Sequence, residues 1–257
     1  MVTNSKKVQM LFFALRYRKH LLRSLKGNLI ELRDSELLQQ ANVVATDKGI
    51  PGHGYYRVYE QFLKDRRMQV STLLEIGLLQ HKLQSNSQSV YYDTPSLDMW
   101  HNYLPISQII GFDIKKFNTS KDKRITIIQG DQKRRNDLQK IIDHYPEFDV
   151  IIDDGLHASE HQQVSLSYLF KCLNPGGIYF IEDLNYQPEE FEKDYIPKTK
   201  DVLKTLLSKG IWDSPVALNE EKKILESSVD AIYFFNSLKG RDIFKQQDAL
   251  AAIVKKD

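Results

Sequence analysis

The sequence lacks the features that mark disulfide-rich, membrane-spanning or strongly charged proteins. Its 257 residues include one cysteine, Cys172, which excludes an intramolecular disulfide framework and a cysteine-based metal site. No run approaches the roughly 18–20 consecutive apolar residues that a membrane-spanning helix requires. The charges nearly balance, since 36 Lys and Arg residues face 34 Asp and Glu residues. We therefore expect a globular cytoplasmic protein without a nucleic-acid partner.

The first 26 residues differ from the rest, because they contain seven Lys and Arg residues and no acid. The apolar run Val8–Leu15 passes directly into Arg16–Lys19 without a small-residue cleavage site, so we do not expect a secretory signal. Leu11, Leu15 and Leu22 fall at helical spacing, which predicts a basic amphipathic helix. Such a helix either packs on the domain with its basic side in solvent or makes a weak contact with a membrane surface. The sequence leaves a homo-oligomer open.

From residue 70 onward, short β-rich runs alternate with helical patterns. Most runs are apolar at successive positions, as in strands buried on both faces of a parallel sheet. The predicted strands are Thr72–Ile76, Gln108–Ile114, Arg124–Gln129, Asp149–Asp153, Ile178–Glu182 and a closing pair, Ala231–Phe235 and Ala249–Val254. The predicted helices are Leu97–Leu104, Asn136–Tyr145, Glu160–Leu173, which ends at a predicted tight turn over Asn174–Gly177, and Lys200–Lys209.

This order predicts an α/β fold with a doubly wound, Rossmann-like and mostly parallel seven-stranded sheet. We expect the domain to cover residues 70–257 and an N-terminal helical extension to cover residues 1–69. A loop rich in glycine and aromatic residues lies within this extension. Residues 49–54 contain three glycines and one proline, which excludes regular structure, and Tyr55 and Tyr59 then begin a helix. The loop is either a packed connection or a lid over a ligand site.

Acidic residues follow the ends of five successive predicted strands. In an open α/β sheet, ligands bind outside the carboxyl ends of the strands, so these residues are the first candidates for a functional site. Single acids at solvated strand ends are common, but five in succession at one edge are difficult to attribute to chance. They are Glu75, Asp113, Asp131, the pair Asp153–Asp154 and the pair Glu182–Asp183.

The first three positions suit the binding of a nucleoside-like ligand. The Asp113 carboxylate can accept hydrogen bonds from both hydroxyls of a ribose. After Glu75, Gly77 permits a close approach of the backbone to a ligand. The pair Asp131–Gln132 can hold the edge of an adenine. Each position taken alone is equally compatible with a structural role.

The last two pairs place three carboxylates, those of Asp154, Glu182 and Asp183, at the tips of neighbouring strands. Like charges this close raise one another's pKa unless a cation neutralises them. Oxygen ligands without cysteine favour Mg²⁺, Mn²⁺ or Ca²⁺ over zinc. His157 follows Asp154 by three residues, where an imidazole can take a proton from a hydroxyl that the metal has acidified. The alternative is that Asp153 and Asp154 cap the following helix and His157 is a loop residue.

Several motifs between about residues 45 and 185 carry a resemblance to a known family. They are Thr46–Gly49, His53–Tyr55, Tyr59–Glu60, Ser96–Trp100, Asp149–His157, the pair Gln162–Gln163 and Leu173–Leu184. In this order they resemble class I S-adenosylmethionine-dependent methyltransferases. Within that class they look like the metal-dependent O-methyltransferases of macrolide sugars, the mycinamicin and macrocin type.

The resemblance implies an enzyme that transfers a methyl group from S-adenosylmethionine, with Mg²⁺, to a hydroxyl of a sugar or a glycosylated small molecule. It implies that His157 is the general base. The remaining residues that it implies are Glu75, Gly77, Asp113, Asp131, Gln132 and Asp153 for S-adenosylmethionine, Asp154, Glu182 and Asp183 for Mg²⁺, and His53, Tyr55 and Tyr59 as lid residues over the substrate.

The chain departs from the family pattern at two places. Gly77 is followed by the run Leu78–His81 instead of a glycine-rich turn, and Leu156 replaces the usual serine. The same three carboxylates would also serve an O-methyltransferase of a non-sugar hydroxyl such as a catechol. A different alternative is a non-catalytic module that keeps the fold, with a degraded cofactor turn and a basic N-terminus for a partner.

Overall fold

The computed structural model describes residues 35–49, 53–78, 94–117, 122–236 and 249–257. The basic amphipathic helix predicted near the N-terminus, together with its predicted membrane contact, lies outside these residues. None of the helices in the described ranges has the length and apolar character needed to cross a membrane.

A seven-stranded sheet forms the centre of the described chain. Its strands are β1 Thr72–Ile76, β2 Gln108–Asp113, β3 Ile125–Gln129, β4 Phe148–Asp153, β5 Leu173–Ile181, β6 Val229–Asn236 and β7 Ala249–Lys255. They lie in the order β3-β2-β1-β4-β5-β7-β6. The strands from β3 to β5 pair in parallel, whereas β7 is antiparallel to both β5 and β6. The predicted mostly parallel, Rossmann-like sheet and its closing strand pair are therefore confirmed.

Helices connect the strands and precede the sheet. Within the described ranges the α-helices are α1 Glu36–Val44, α2 Tyr56–Leu63, α3 Pro95–Tyr103, α4 Arg135–His144, α5 Ser159–Leu169, α6 Thr199–Lys209 and α7 Asn219–Ser228. The sequence pattern predicts neither α1, whose stability depends on packing against the core, nor α7, which is short and rich in polar residues. Helix α1 is set by its ends instead: Ser35 Oγ accepts a hydrogen bond from Leu38 N at 3.0 Å, and Ala45 ends the helix in the left-handed conformation.

The beginning of β5 differs from the tight turn predicted over Asn174–Gly177. The parallel ladder with β4 is interrupted between Leu173 and Ile178, and it resumes at Ile178 in a shifted register. Gly176 has a φ of +66°, which a glycine adopts without strain. The glycines therefore allow a local irregularity in place of the predicted turn. The segment stays within one strand, because the pairing with β4 continues after the irregularity.

Both faces of the sheet are buried, each under its own hydrophobic core. Successive strand residues point to opposite faces and therefore join different cores. Leu73 of β1 lies in the core beneath α1, α2 and α3, while Leu74 lies in the core beneath α4, α5 and α6. The ring of Tyr59 on α2 meets Trp100 and Phe180 edge-on, with centroids 5.1 Å and 4.9 Å apart. Each such pair contributes about 0.5–1.5 kcal/mol beyond the area that it buries. This packing fixes α2 on the sheet beside β5.

Candidate active site and metal centre

The carboxyl ends of β1, β4 and β5 meet at one point of the sheet edge. The ladder continues just past the strands, because Asp154 N donates to Ile76 O at 2.9 Å and Glu182 N donates to the last carbonyl of β4 at 2.9 Å. His157 and Asp183 have φ values of +63° and +54°. Left-handed backbone costs a non-glycine residue about 1–3 kcal/mol and persists only where the surroundings hold it. Two residues of the predicted site are thus held in strained backbone.

A buried lysine lies at the centre of these acids. Its Nζ atom is 2.6 Å from Asp154 Oδ2, 2.9 Å from Glu182 Oε1 and 3.1 Å from Glu75 Oε1. This residue is Lys48, whose side chain is 1% exposed. The Lys48 ammonium therefore offsets part of the repulsion among these carboxylates. The sequence alone predicts that a metal ion has this role.

The segment between α1 and α2 holds Lys48 in place. The carbonyl of Lys48 accepts a hydrogen bond from Tyr56 N at 3.1 Å, and Asp47 O accepts one from His53 N at 2.7 Å. Gly49 lies so close to α1 that a Cβ atom there would be 3.1 Å from the Cβ of Ala41. The loop predicted as a connection or lid thus delivers a charged group to the sheet edge.

The charges in this cluster shift one another's pKa. Burial alone would lower the pKa of the Lys48 ammonium, but the surrounding carboxylates raise it well above its usual value, so it stays charged. Burial raises the pKa of Glu75 to about 7, although Lys48 opposes the shift. Burial, followed by the charge of Asp154, raises the pKa of Glu182 well above its usual range, and burial also raises that of Asp154. One ammonium therefore does not fully compensate the two buried acids, Glu75 and Glu182, and the half-buried Asp154.

Asp154, His157 and Asp183 form a group that could hold a metal ion. One ligand atom from each lies within 4.8 Å of the others. Burial alone would raise the pKa of Asp183, but the hydrogen bond from His53, the charges of His157 and His53, and the Tyr55 hydroxyl lower it to about 2. Asp183 is therefore a carboxylate at any physiological pH, as a metal ligand must be.

Glu182, the third predicted metal ligand, has a different environment. Its Oε1 atom accepts a hydrogen bond from the Tyr59 hydroxyl and contacts Lys48. Among the described residues it does not join the group of Asp154, His157 and Asp183. The structure brings Glu182 to the same edge through Lys48, and its role as a metal ligand stays a prediction.

The three predicted lid residues lie against these carboxylates. The Tyr55 hydroxyl donates to Asp183 Oδ1 at 2.7 Å, and His53 Nδ1 is 3.2 Å from the same oxygen. Tyr55 and Tyr59 are buried. Their hydroxyls therefore orient Asp183 and Glu182, and a lid movement over a substrate stays a prediction.

Asp153 and Gln132, predicted to bind the cofactor, lie in a buried network. Gln132 Nε2 is 2.7 Å from both carboxylate oxygens of Asp153, and the Ser165 hydroxyl donates to Asp153 Oδ2 at 2.6 Å. The Tyr179 hydroxyl is 3.3 Å from that oxygen. These side chains tie β4 to α5 and β5, and their predicted contact with a cofactor is untested.

The alternative that Asp153 and Asp154 cap the helix after β4 is wrong. Helix α5 begins at Ser159, and its N-cap residue, Ala158, provides no side-chain cap. The amide of Ser159 instead donates to Glu192 Oε1 at 2.6 Å. The two aspartates are thus available for the network and the metal group.

The remaining predicted cofactor residues lie at the ends of β1, β2 and β3. The Asp113 carboxylate accepts hydrogen bonds from Leu78 N at 2.8 Å and Lys115 N at 2.7 Å, so it holds the turn after β1. The Leu78 side chain is buried in the core, pointing away from the sheet edge. Asp131 Oδ1 accepts a hydrogen bond from Lys133 N at 2.9 Å. The ribose and adenine roles of Asp113 and Asp131 stay predictions.

Gly77 has a positive φ of +87°, and its surroundings explain why no side chain fits. A Cβ atom there would lie 2.0 Å from the carbonyl oxygen of Asp154. The sequence predicts that the backbone at Gly77 approaches a ligand closely. In the described residues it closely approaches the backbone of Asp154, a member of the proposed metal group.

Lys48 is a central residue of this cluster that the strand-end pattern does not predict. It belongs to the motif Thr46–Gly49, which contributes to the family resemblance but receives no role there. The available signal is the excess of acids at the strand ends, which calls for a cation from the protein as well as from a metal.

The donor chemistry fits the two groups that the resemblance implies. Two carboxylates beside an imidazole, without a thiol, suit a hard divalent ion such as Mg²⁺. An ionised Asp183 supports that assignment. The acceptor-rich end of β2 at Asp113 suits the hydroxyls of a ribose.

Comparisons with known proteins find O-methyltransferases that are similar to part of this chain. No family model matches the chain. It is 36% identical over 132 residues, 51% of its length, to the mycinamicin VI 2''-O-methyltransferase of Micromonospora griseorubida, and the match covers 32% of that protein. It is 33% identical over 164 residues, 63% of its length, to the demethylmacrocin O-methyltransferase of Streptomyces fradiae, and this match covers 40% of that protein.

A solved structure extends the likeness to the fold. The MycE methyltransferase from the mycinamycin biosynthetic pathway, in complex with Mg, SAH and mycinamycin VI, matches with a TM-score of 0.65 and 26% identity. The match covers 86% of this chain and 54% of that chain. The chain thus spans less than two thirds of the length of each of these relatives. Its fold is that of the class I S-adenosylmethionine-dependent methyltransferases, and its sequence is similar to O-methyltransferases of the mycinamicin and macrocin type, as its motifs predict.

Proposed function

We propose that the chain is an S-adenosylmethionine-dependent and Mg²⁺-dependent O-methyltransferase that acts on a hydroxyl of a sugar or a glycosylated small molecule. The observation that carries the proposal is that two carboxylates, those of Asp154 and Asp183, lie beside the His157 imidazole at the carboxyl edge of a methyltransferase-type sheet. The names of the relatives support it, since both are O-methyltransferases. The MycE complex with Mg, SAH and mycinamycin VI supports the choice of cofactors.

The residues of this group have distinct roles in the proposal. When bound, S-adenosylmethionine supplies the methyl group and Mg²⁺ lowers the pKa of the acceptor hydroxyl. Asp154 and Asp183, with Glu182 beside them, would hold the cation. His157 takes the proton from the hydroxyl, and Asp183 Oδ2, 3.7 Å from His157 Nε2, stabilises the imidazolium that results. The protein otherwise contributes alignment, because methyl transfer requires an in-line approach to the methyl carbon.

An exposed aromatic residue beside His157 suits an acceptor whose hydroxyl is carried on a ring. The ring of Tyr186 lies 6.3 Å from the His157 ring, centroid to centroid, and Tyr186 is 47% exposed. An open aromatic face combined with a few fixed polar groups is a common arrangement in small-molecule sites. We infer that this face supports the ring that carries the acceptor hydroxyl.

The rest of the assignment follows from this function. We propose that residues 70–257 form the methyltransferase domain and that residues 1–69 form the extension that completes its site, since Lys48, His53 and Tyr55 reach the acids. A cytoplasmic location and a small-molecule or glycoconjugate substrate, with no nucleic-acid partner, fit this chemistry. A weak membrane contact and a homo-oligomer stay predictions.

The test is a methyl-transfer assay with labelled S-adenosylmethionine and three acceptors: mycinamicin VI, demethylmacrocin and catechol. We expect label on a glycosylated acceptor with Mg²⁺ and no label after chelation. Label on catechol alone would favour the non-sugar alternative. Absence of both turnover and a thermal shift with S-adenosylmethionine would favour the non-catalytic module.

A further inference from the structure

The position of Lys48 determines how many acids remain for a divalent ion. Its ammonium contacts Asp154 and Glu182, two of the three acids assigned to the metal. In the described structure Asp183 does not contact Lys48; Tyr55 and His53 contact its Oδ1 atom instead. The acids at the edge are thus divided between two cations, one that belongs to the chain and one that would bind from solution.

We propose that Lys48 is a positioning residue that holds Asp154 and Glu182 in place without a metal ion and competes with the divalent ion for both. This inference rests on the proposed function. Lys48 is supplied by the segment before the domain, while the acids follow β4 and β5, so the extension itself sets the affinity of the metal site.

The competition follows from the geometry. Lys48 Nζ is 2.6 Å from Asp154 Oδ2, so an ion bound by Asp154 shares that carboxylate with a fixed positive charge. Two cations on one carboxylate repel each other, and burial strengthens the repulsion. The second contact, at 2.9 Å from Glu182 Oε1, removes an oxygen that the ion could otherwise use. The positive charge of Lys48 therefore weakens the binding of the divalent ion.

The benefit of Lys48 is a site that exists before the ion arrives. Without the ammonium, the carboxylates of Glu75, Asp154 and Glu182 would lie together without the positive charge that contacts all three. Removing one partner of a buried ion cluster is strongly destabilising. Lys48 therefore replaces part of the structural role that a tightly bound ion would have.

The test compares Lys48→Met with the wild type by calorimetric titration with Mn²⁺ and by thermal unfolding with and without the ion. We expect Lys48→Met to bind Mn²⁺ at least about tenfold more tightly, because the fixed charge is gone. Its Tm without metal should fall by roughly 10 °C, and Mn²⁺ should raise it more than in the wild type. A purely structural lysine would give the lower Tm without the tighter binding.

Two controls separate the charge from other effects. Lys48→Arg keeps the charge and should bind Mn²⁺ within about threefold of the wild type, as should Lys204→Met, which removes an exposed partner of Asp201. If Lys48→Met does not fold, Lys48→Gln, which keeps a hydrogen-bond donor without the charge, carries the same expectation. Unchanged or weaker Mn²⁺ binding in the folded variant would overturn the proposed role of Lys48 but would leave the proposed metal site standing. Absence of Mn²⁺ binding in both the wild type and the variant would overturn the proposed metal chemistry as well.

Discussion

A Cβ atom at Gly77 would lie 2.0 Å from the carbonyl oxygen of Asp154 and 2.5 Å from its carbonyl carbon. These are backbone atoms, so they cannot move aside as the end of a flexible side chain can. The turn after β1 and the turn after β4 are therefore in direct contact. The position of a proposed metal ligand therefore depends on a glycine in the turn after β1, the strand that neighbours β4 in the sheet.

The first prediction concerns Gly77→Ala. The left-handed φ and the backbone overlap should together lower the free energy of unfolding by about 3 kcal/mol or more and displace Asp154. Gly210→Ala is the matched control, because Gly210 also has a positive φ, +72°, but nothing within 4 Å of its Cβ position. It should cost only about 1–2 kcal/mol. Urea unfolding and Mn²⁺ titration of both variants check this, and equal losses would contradict the contact.

The second prediction concerns the base. His157→Gln should lower kcat by about 10²–10⁴-fold, because the acceptor proton has no recipient. SAH affinity should stay within about threefold, since the imidazole acts on the acceptor. His144→Gln, at an exposed histidine that ends α4, should leave kcat unchanged. Calorimetry with SAH that shows binding abolished in His157→Gln would reassign the residue to the cofactor pocket.

The third prediction concerns the acceptor face. Tyr186→Ala should raise KM for a glycosylated acceptor by about tenfold with little change in SAH affinity, because an apolar contact with the bound ring is lost. Tyr186→Phe keeps the ring and should stay near the wild type. Tyr195→Ala removes a more exposed tyrosine and serves as the control. Steady-state kinetics would argue against the proposed face if Tyr186→Ala and Tyr195→Ala behaved alike.

The sequence predicts most of the sheet because its strands are buried on both faces. The run Thr72–Ile76 contains the apolar residues Leu73, Leu74 and Ile76, and its predicted bounds are those of β1. The same reasoning fails at Asn174–Gly177, since proline and glycine there indicate a turn whether or not a ladder resumes beyond them. Helix α1 is missed because its stability depends on Leu37 and Leu38 packing against the core, a tertiary effect.

In the candidate site, too, some contacts can be predicted from the sequence and others cannot. The strand-end rule predicts that Asp154 and Asp183 meet, because the topology of a parallel sheet brings those ends together. It does not predict the contact between Lys48 and Asp154, which are 106 residues apart and lie on a loop and a strand end. Nor does it predict that Gln132 turns toward Asp153. Local patterns indicate where an acid lies, but the partner that neutralises it is set by the packing of distant segments.

The last prediction is a pH dependence that originates at Asp183. Its pKa is about 2 in the folded protein and about 3.8 when unfolded, so between these values the unfolded state binds more protons. Stability from this group is thus fully present above about pH 4 and is lost as the pH falls toward 2. The difference corresponds to about 2 kcal/mol. Urea unfolding in EDTA should show this loss in the wild type and in the exposed control Asp201→Asn. In Asp183→Asn the loss of stability at low pH should be smaller by about 2 kcal/mol. An identical loss in all three proteins would show that His53 and Tyr55 do not stabilise the Asp183 carboxylate.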